Sequence, residues 1–332
     1  MKPSLRRKAI LLSQPFKIKV DTTGAGTSGV GNMSLKGSSD AGVSYDIRTS
    51  DGQTILANTG TTVITFPSGG VYEIELSGVF NFFEFENNDP TKLIEVMQWG
   101  ADVWTKFTSV FKGCVNMDIT AIDTPNVDPN EVSFQAVEMF SGCTSMEGAA
   151  ANWNWDTSNI VNTQQMFQFA SLFNQNIDSW NVSSVTNMQN MFGSTTVFNQ
   201  PLNSWNTSSV TDMSFMFVAN PVFNQPLNSW NTSSVTTMTF MFYFSGGASA
   251  FNQDISSWQI SQVSSFADFM THSTLSTSNY DNLLVAWDLQ GAMSFSGVMN
   301  FGSSVYTIAI SGTEHASLET KWGNPITDGG GI

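Results

Sequence analysis

Residues 198–217 read FNQPLNSWNTSSVTDMSFMF, and residues 223–242 read FNQPLNSWNTSSVTTMTFMF. A near-identical recurrence at short range limits the fold strongly. One such unit is too small to enclose its own aromatic side chains, so each must be covered by the units before and after it. Tryptophan falls at 155, 180, 205, 230 and 258, and the Met-Phe pair at 139–140, 166–167, 191–192, 216–217 and 241–242. The last interval is lengthened by the Gly-rich insertion SGGASA at 245–250, after which the pattern resumes.

Within a unit, Val185, Met188, Met191 and Phe192 are spaced by three and four, which predicts one face of a short helix or 3₁₀ turn. Phe198 to Trp205 predicts an extended strand, and Asn-Thr-Ser-Ser a turn. These features predict a leucine-rich-repeat-type solenoid with a parallel sheet, in which Phe, Met and Trp replace most leucines. The expected core ladder is Trp155, Trp180, Trp205, Trp230 and Trp258 with Phe173, Phe198, Phe223 and Phe251. A register fixed against Met and Val favours core over an exposed sugar platform. The pairs Asn174-Gln175, Asn199-Gln200, Asn224-Gln225 and Asn252-Gln253 predict amide ladders. Asn181, Asn206 and Asn231 each head an Asn-x-Ser tripeptide, but Asp156 holds the equivalent place, so turn formation is preferred over glycosylation.

Net charge is −15 over 332 residues, and its distribution is uneven. Lys2, Arg6, Arg7, Lys8, Lys17 and Lys19 crowd the start, whereas no Lys or Arg lies between Lys112 and Lys321. That acidic stretch would repel phosphate backbones and anionic membrane surfaces, which argues against nucleic acid as a partner. No run of apolar residues is long enough to span a bilayer, so no membrane insertion is expected. The opening MKPSLRRKAILLSQPFKIKV reads as a basic attachment arm carrying Lys2, Arg6, Arg7 and Lys8. The other reading is a cryptic export signal, with an apolar run, Ala9 to Leu12, that is short for that role. Cys114 and Cys143 follow Phe111 and Phe140 by three residues, one small-residue position in adjacent units. Stacked buried thiols are favoured and a disulfide remains open. A metal site is disfavoured because no His or third Cys joins them.

Before residue 89, FKIKVDT, SYDIRTSDGQTI and GTTVITFPSGGVYEIELSGVF alternate apolar and polar residues, an antiparallel β pattern with Asp51-Gly52 as a hairpin turn. The domain reading is therefore a basic arm over 1–14, a β domain over 15–88, a repeat solenoid over 89–274 and a closing cap over 275–332.

The unit Met-Phe…Phe-Asn-Gln…Trp-Asn-Thr-Ser-Ser-Val-Thr resembles the repeat of BspA-like leucine-rich surface proteins, also found in Mycoplasma surface lipoproteins. LIEVMQWGADVWTKFTSVFKGC, 93–114, is similar to that family's opening coil. LSTSNYDNLLVAWDLQG, 275–291, with HASLETKWGNPITDGG, 315–330, is similar to its closing cap. FPSGGVYEIELSG resembles the last strands of a polycystic-kidney-disease-type immunoglobulin-like domain, which makes the expected N-terminal domain an immunoglobulin-like β-sandwich.

The resemblance implies surface binding and attachment. Residues between buried positions, Asn176, Asp178, Pro201, Asn203, Pro226, Asn228, Asp254 and Ser256, are the candidate ligand-facing sheet. The combination of modules and basic arm is similar to proteins of bacteriophage virions. The expected role is non-enzymatic: a capsid-decorating or fibre-type component on the virion surface, held to virion or capsid proteins through its N-terminal region and facing a host-surface glycan or protein. A bacterial cell-surface adhesin is the alternative. His272 and His315 are the only histidines and sit in no nucleophile, zinc or phosphate-loop motif, so neither catalysis nor a cofactor is expected.

Overall fold

Alternation of buried and exposed side chains builds the N-terminal strands, as in Phe16, Ile18 and Val20 facing inward with Lys17 and Lys19 outward. The computed structural model describes residues 14–24, 26–37, 43–79, 82–85, 89–290, 298–323 and 325–332. The arm residues Lys2, Arg6, Arg7 and Lys8 lie outside the described residues. The fold is β-rich with two α-helices among the described residues, and none of its sheets closes.

The chain divides into two compact units, one running to Asn159 and including Ala170–Gln175, the other comprising Ile160–Phe169 and Asn176–Ile332. In the first unit lie β1 (Phe16–Asp21), β2 (Asn32–Gly37), β3 (Ser44–Thr49), β4 (Thr54–Asn58), β5 (Thr61–Thr65), β6 (Val71–Val79), β7 (Phe83–Glu84) and β8 (Leu93–Gln98). Short strands β9 (Val103–Trp104), β10 (Asp118–Ile119), β11 (Asn126–Val127) and β12 (Phe134–Gln135) follow. One sheet has the order β10-β8-β1-β6-β3-β4, antiparallel except for the β10–β8 pair; a second has the order β5-β2-β7. Gly52, at φ 91°, turns β3 into β4.

Strand β8 pairs along β1, and β10 along β8, so the expected boundary between residues 88 and 89 falls inside a sheet. The reason is local: Val96 and Leu93 oppose Ile18 and Val20, extending the buried face begun by β1.

The second unit opens with β13 (Ile160–Asn162) and ends with α1 (Thr277–Asp288), β14 (Met299–Asn300), β15 (Val305–Tyr306), α2 (Ile308–Trp322), β16 (Ile326–Thr327) and β17 (Gly330–Gly331). Between them the repeats form neither the predicted strand nor the predicted helix. Successive units meet through isolated parallel bridges at Asn162, Asn187, Asp212, Thr237 and Ser265, within the segment expected to be helical. There the backbone donates across to the next unit at every second residue: Met188 to Asp212 (2.9 Å), Asn190 to Ser214 (2.9 Å), Phe192 to Met216 (3.0 Å) and Ser194 to Val218 (2.8 Å). The intervening N–H groups close four-residue turns, Met191 to Met188 and Gly193 to Asn190.

Left-handed residues make this geometry. Asn190 (φ 57°) and Ser194 (φ 58°) reverse the curl of the chain, which prevents a helix and turns alternate N–H groups the same way. Phe198 to Trp205 and the equivalent stretch of the next repeat are not strands because side chains take their donors. Asn224 N–H bonds to Asn199 Oδ1 (2.9 Å), Ser204 N–H to Asp178 Oδ1 (3.0 Å) and Ser229 N–H to Asn203 Oδ1 (3.1 Å). The leucine-rich solenoid with its parallel strand sheet is therefore replaced by hydrogen-bonded turns stacked in register.

Every residue of the expected aromatic core is buried. Trp205 stacks on Trp230 at 6.4 Å and Trp230 on Trp258 at 6.3 Å, with interplanar angles of 4° and 5°. Each indole donates to a carbonyl one unit back: Trp205 to Ile177, Trp230 to Leu202 and Trp258 to Leu227. Phe198, Phe223 and Phe251 stack likewise, at 6.2 and 6.3 Å. In the first unit Trp155 lies against Trp153 and donates to Asn152, three residues away, so its indole bond stays within its own turn.

Candidate interaction surfaces

The outward polar positions lie on turns rather than on a sheet, which corrects the expected ligand-facing sheet. Asn176, Pro201, Pro226 and Asn228 are exposed; Asp178, Asn203, Asp254 and Ser256 are partly so. Much of their hydrogen-bonding capacity joins one unit to the next. Asn203 donates to Asn228 Oδ1 (3.3 Å), Asp178 receives Ser204 N–H, and Asp254 receives Ser256 N–H (2.9 Å) and the Asn282 amide (3.2 Å). Asn176 Oδ1 receives Asp178 N–H at 2.9 Å. Among the described residues, the Asn228 amide donors and the Ser256 hydroxyl have no partner. Pro226, Asn228, Gln253, Asp254, Ser256 and Ser257 line a shallow depression there.

A second surface was not anticipated. The left-handed position before each Met-Phe pair holds Gln165, Asn190, Phe215 and Phe240 in the second unit, and Asp268 at the equivalent place of its last repeat. At Phe215 and Phe240 the rings are partly exposed and stack at 5.0 Å with 9° between planes. Tyr243 meets Phe240 edge-on at 5.2 Å, and the exposed His272 ring lies 6.1 Å from Tyr243. The sequence does carry a signal for this row: a position that is amide or carboxylate in neighbouring repeats becomes Phe in two adjacent ones. Core-directed periodicity hides it, because Phe215 and Phe240 sit one residue from a buried methionine.

Two sets of buried titratable groups have shifted protonation. Hydrogen bonding to Asp328 raises the His315 pKa, with Nε2 2.9 Å from Asp328 Oδ2. Burial pulls Asp328 upward, but hydrogen bonds from His315, Tyr280 and Gly330 N–H hold it below the usual carboxylate value. Burial raises both Cys114 and Cys143 thiols, which are free. Cys143 Sγ donates to Phe111 O at 3.1 Å, and Thr195, at the same register position two repeats on, donates likewise to Phe167 O at 2.8 Å. The thiol thus acts as one more donor of the repeat. Among the described residues no group of His, Cys, Asp and Glu is arranged to hold a metal ion. No described helix is long and apolar enough to cross a membrane.

Stacked 25-residue units, bonded backbone to backbone and ring to ring, define a repeat protein. The chain belongs to the family described as Mycoplasma protein of unknown function, DUF285, which it matches in tandem over residues 76–181, 135–247 and 210–308. That match replaces the BspA-like and immunoglobulin-like assignments, neither of which is found. No curated protein and no solved structure matches the chain.

Proposed function

We propose that this chain is a non-enzymatic display protein that binds by repeated contact from the surface of a particle, a bacteriophage virion in the first instance, with its N-terminal region as the attachment part. The observation that carries the reading is the in-register stacking of near-identical units. It presents equivalent outward positions at each step, as multivalent contact requires. The acidic charge of the repeats disfavours nucleic acid as the target. The histidines are committed elsewhere, His315 to Asp328 and His272 Nδ1 to Phe244 O.

A bacterial cell surface is the second placement, favoured by the cellular source named in the family description. Immunogold labelling with antibody against the protein tests both. Gold on purified virions supports the first placement, and gold on the bacterial envelope alone moves the protein to the second. Label confined to the cell interior removes the display reading.

A further inference from the structure

The row Phe215, Phe240, Tyr243 and His272 runs across adjacent repeats of the second unit with ring separations of 5.0, 5.2 and 6.1 Å. Phe215 (φ 60°) and Phe240 (φ 55°) occupy a backbone region that bulky L-residues rarely adopt. Asn190 and Asp268 fill the same register position with residue types that tolerate it far better. Packing does not require Phe there: the repeat closes around Gln165 and Asn190 with the same cross-unit backbone bonds, Gln165 to Gln189 (2.9 Å) and Asn190 to Ser214 (2.9 Å). A costly residue placed where a cheaper one serves, and left partly in solvent, points to contact with something outside the chain.

We propose that this aromatic row binds a neutral glycan, its pyranose rings lying against the phenyl and phenol groups. The proposal rests on the display reading and names the ligand class for it. Charge selects the occupant. No Lys or Arg lies between Lys112 and Lys321, so no guanidinium or ammonium of the repeats is present to meet a sialic acid, uronic acid or phosphate. Asp268 continues the Phe215–Phe240 register and repels anions from it. The ring faces turned away from the Phe215–Phe240 stack carry partial negative charge and attract the polarised C–H groups of an uncharged sugar. Thr237, Thr239 and Ser265, next to these residues in the repeats, form a chain of hydroxyls at 3.2 and 2.7 Å whose donor sense can reverse, which suits sugar hydroxyls. A glycan is itself a repeating polymer, and a row that crosses repeats can engage consecutive sugars.

The test is calorimetric titration of the full chain with cellohexaose, maltohexaose, laminarihexaose and chitohexaose, with oligosialic acid as the charged probe. Two double variants accompany it. Phe215→Asn with Phe240→Asn installs the residue found at position 190, and Asn228→Ala with Ser256→Ala disarms the polar depression. The expected result is binding of a neutral hexaose that weakens at least about tenfold in the aromatic double variant, whose melting temperature stays level or rises. Binding that survives the aromatic change but fails in the polar variant moves the ligand to the depression and overturns the proposal. So does binding of oligosialic acid alone, binding of no glycan, or an aromatic variant that melts earlier while binding normally. None of these outcomes touches the display reading, which the labelling experiment decides separately.

Discussion

At the scale of single residues, two charges of the first unit illustrate how burial sets behaviour. Lys92 is 1% and Asp89 0% exposed, 3.3 Å apart. The Lys92 ammonium also donates to Gly29 O (2.7 Å), Asn32 O (2.8 Å) and Ser28 Oγ (3.1 Å), so each of its three hydrogens has an acceptor. Burial pulls the Asp89 carboxyl upward, but Ser28, the Ser34 N–H and Lys92 hold it below its usual value. Lys92→Met leaves Asp89 buried with its counter-charge gone, and should cost about 3–5 kcal/mol in denaturant unfolding. Asp102 is the opposite case. Burial, only partly offset by the Gly78 N–H, raises its pKa to about 6. Its stabilising contribution is present below the ordinary carboxylate pKa and is lost as pH rises through about 6. Asp102→Asn should therefore raise the melting temperature at pH 7 and flatten its fall between pH 4 and 6. A lower melting temperature at pH 7 would show that the charge serves a contact. Neither effect could be read beforehand: Lys92 and Asp102 are ordinary surface residue types, and only the folded path of the chain buries them.

Among elements, the closing segment offers the sharpest pH dependence. Tyr280 of α1 (2.6 Å) and His315 of α2 (2.9 Å) converge on Asp328, which lies between β16 and β17 and also receives Gly330 N–H (2.8 Å). Tyr306 of β15 stacks on His315 at 4.5 Å, and Glu319 lies 4.0 Å from its Nδ1. The raised His315 pKa gives stability that is full below the unfolded imidazole value and lost as pH rises through the folded one. The lowered Asp328 pKa gives stability present above the unfolded carboxylate value and lost as pH falls through the folded one. The protection of the Ile326 to Ile332 amides, their exchange rate taken relative to the intrinsic rate at each pH, should thus be greatest in mildly acidic solution and fall on both sides, with the alkaline fall absent in His315→Gln. An alkaline fall unchanged by that substitution would assign the loosening to another group. The core contact between repeats has its own measure. Trp230→Ala removes two ring stacks and one bond to Leu202 O, and should cost about 3–5 kcal/mol. The identity of these core side chains was legible because period and burial go together. Their secondary structure was not. Left-handed backbone at Asn190 or Phe215 leaves no mark on side-chain periodicity, and amide side chains at Asn199 and Asn203 take donors that a strand would use.

For the molecule as a whole, the repeat was visible in the sequence and the partition of the chain was not. A change of composition near residue 89 suggested a boundary, yet β8 carries the N-terminal sheet past it, because strand pairing follows the buried faces of Val96 and Ile18. The turns that carry the outward polar row, and the bonds its members make with one another, were not foreseen. The aromatic row was missed because Phe reads as core by default. Register also sets what lengths the repeat tolerates. Excising 206–230 rejoins Trp205 to Asn231 with the same spacing, and should leave a folded protein with a cooperative melt. Excising 206–217 sets each indole opposite the wrong carbonyl, and should abolish that melt. Equal melts for the two would mean that spacing does not govern the fold. Finally, in the second unit the cross-repeat donors Met188, Asn190, Phe192 and Ser194 all aim toward later sequence, and Met213, Phe215, Phe217 and Ala219 repeat the same aim. Thr186, Thr211 and Thr236 donate the other way, to the preceding repeat, but along this row the peptide dipoles point one way and give it a head and a tail. A repeat grafted in reverse would bring hydrogen against hydrogen, so such a protein can be lengthened in one sense only, like an arrow extended along its shaft.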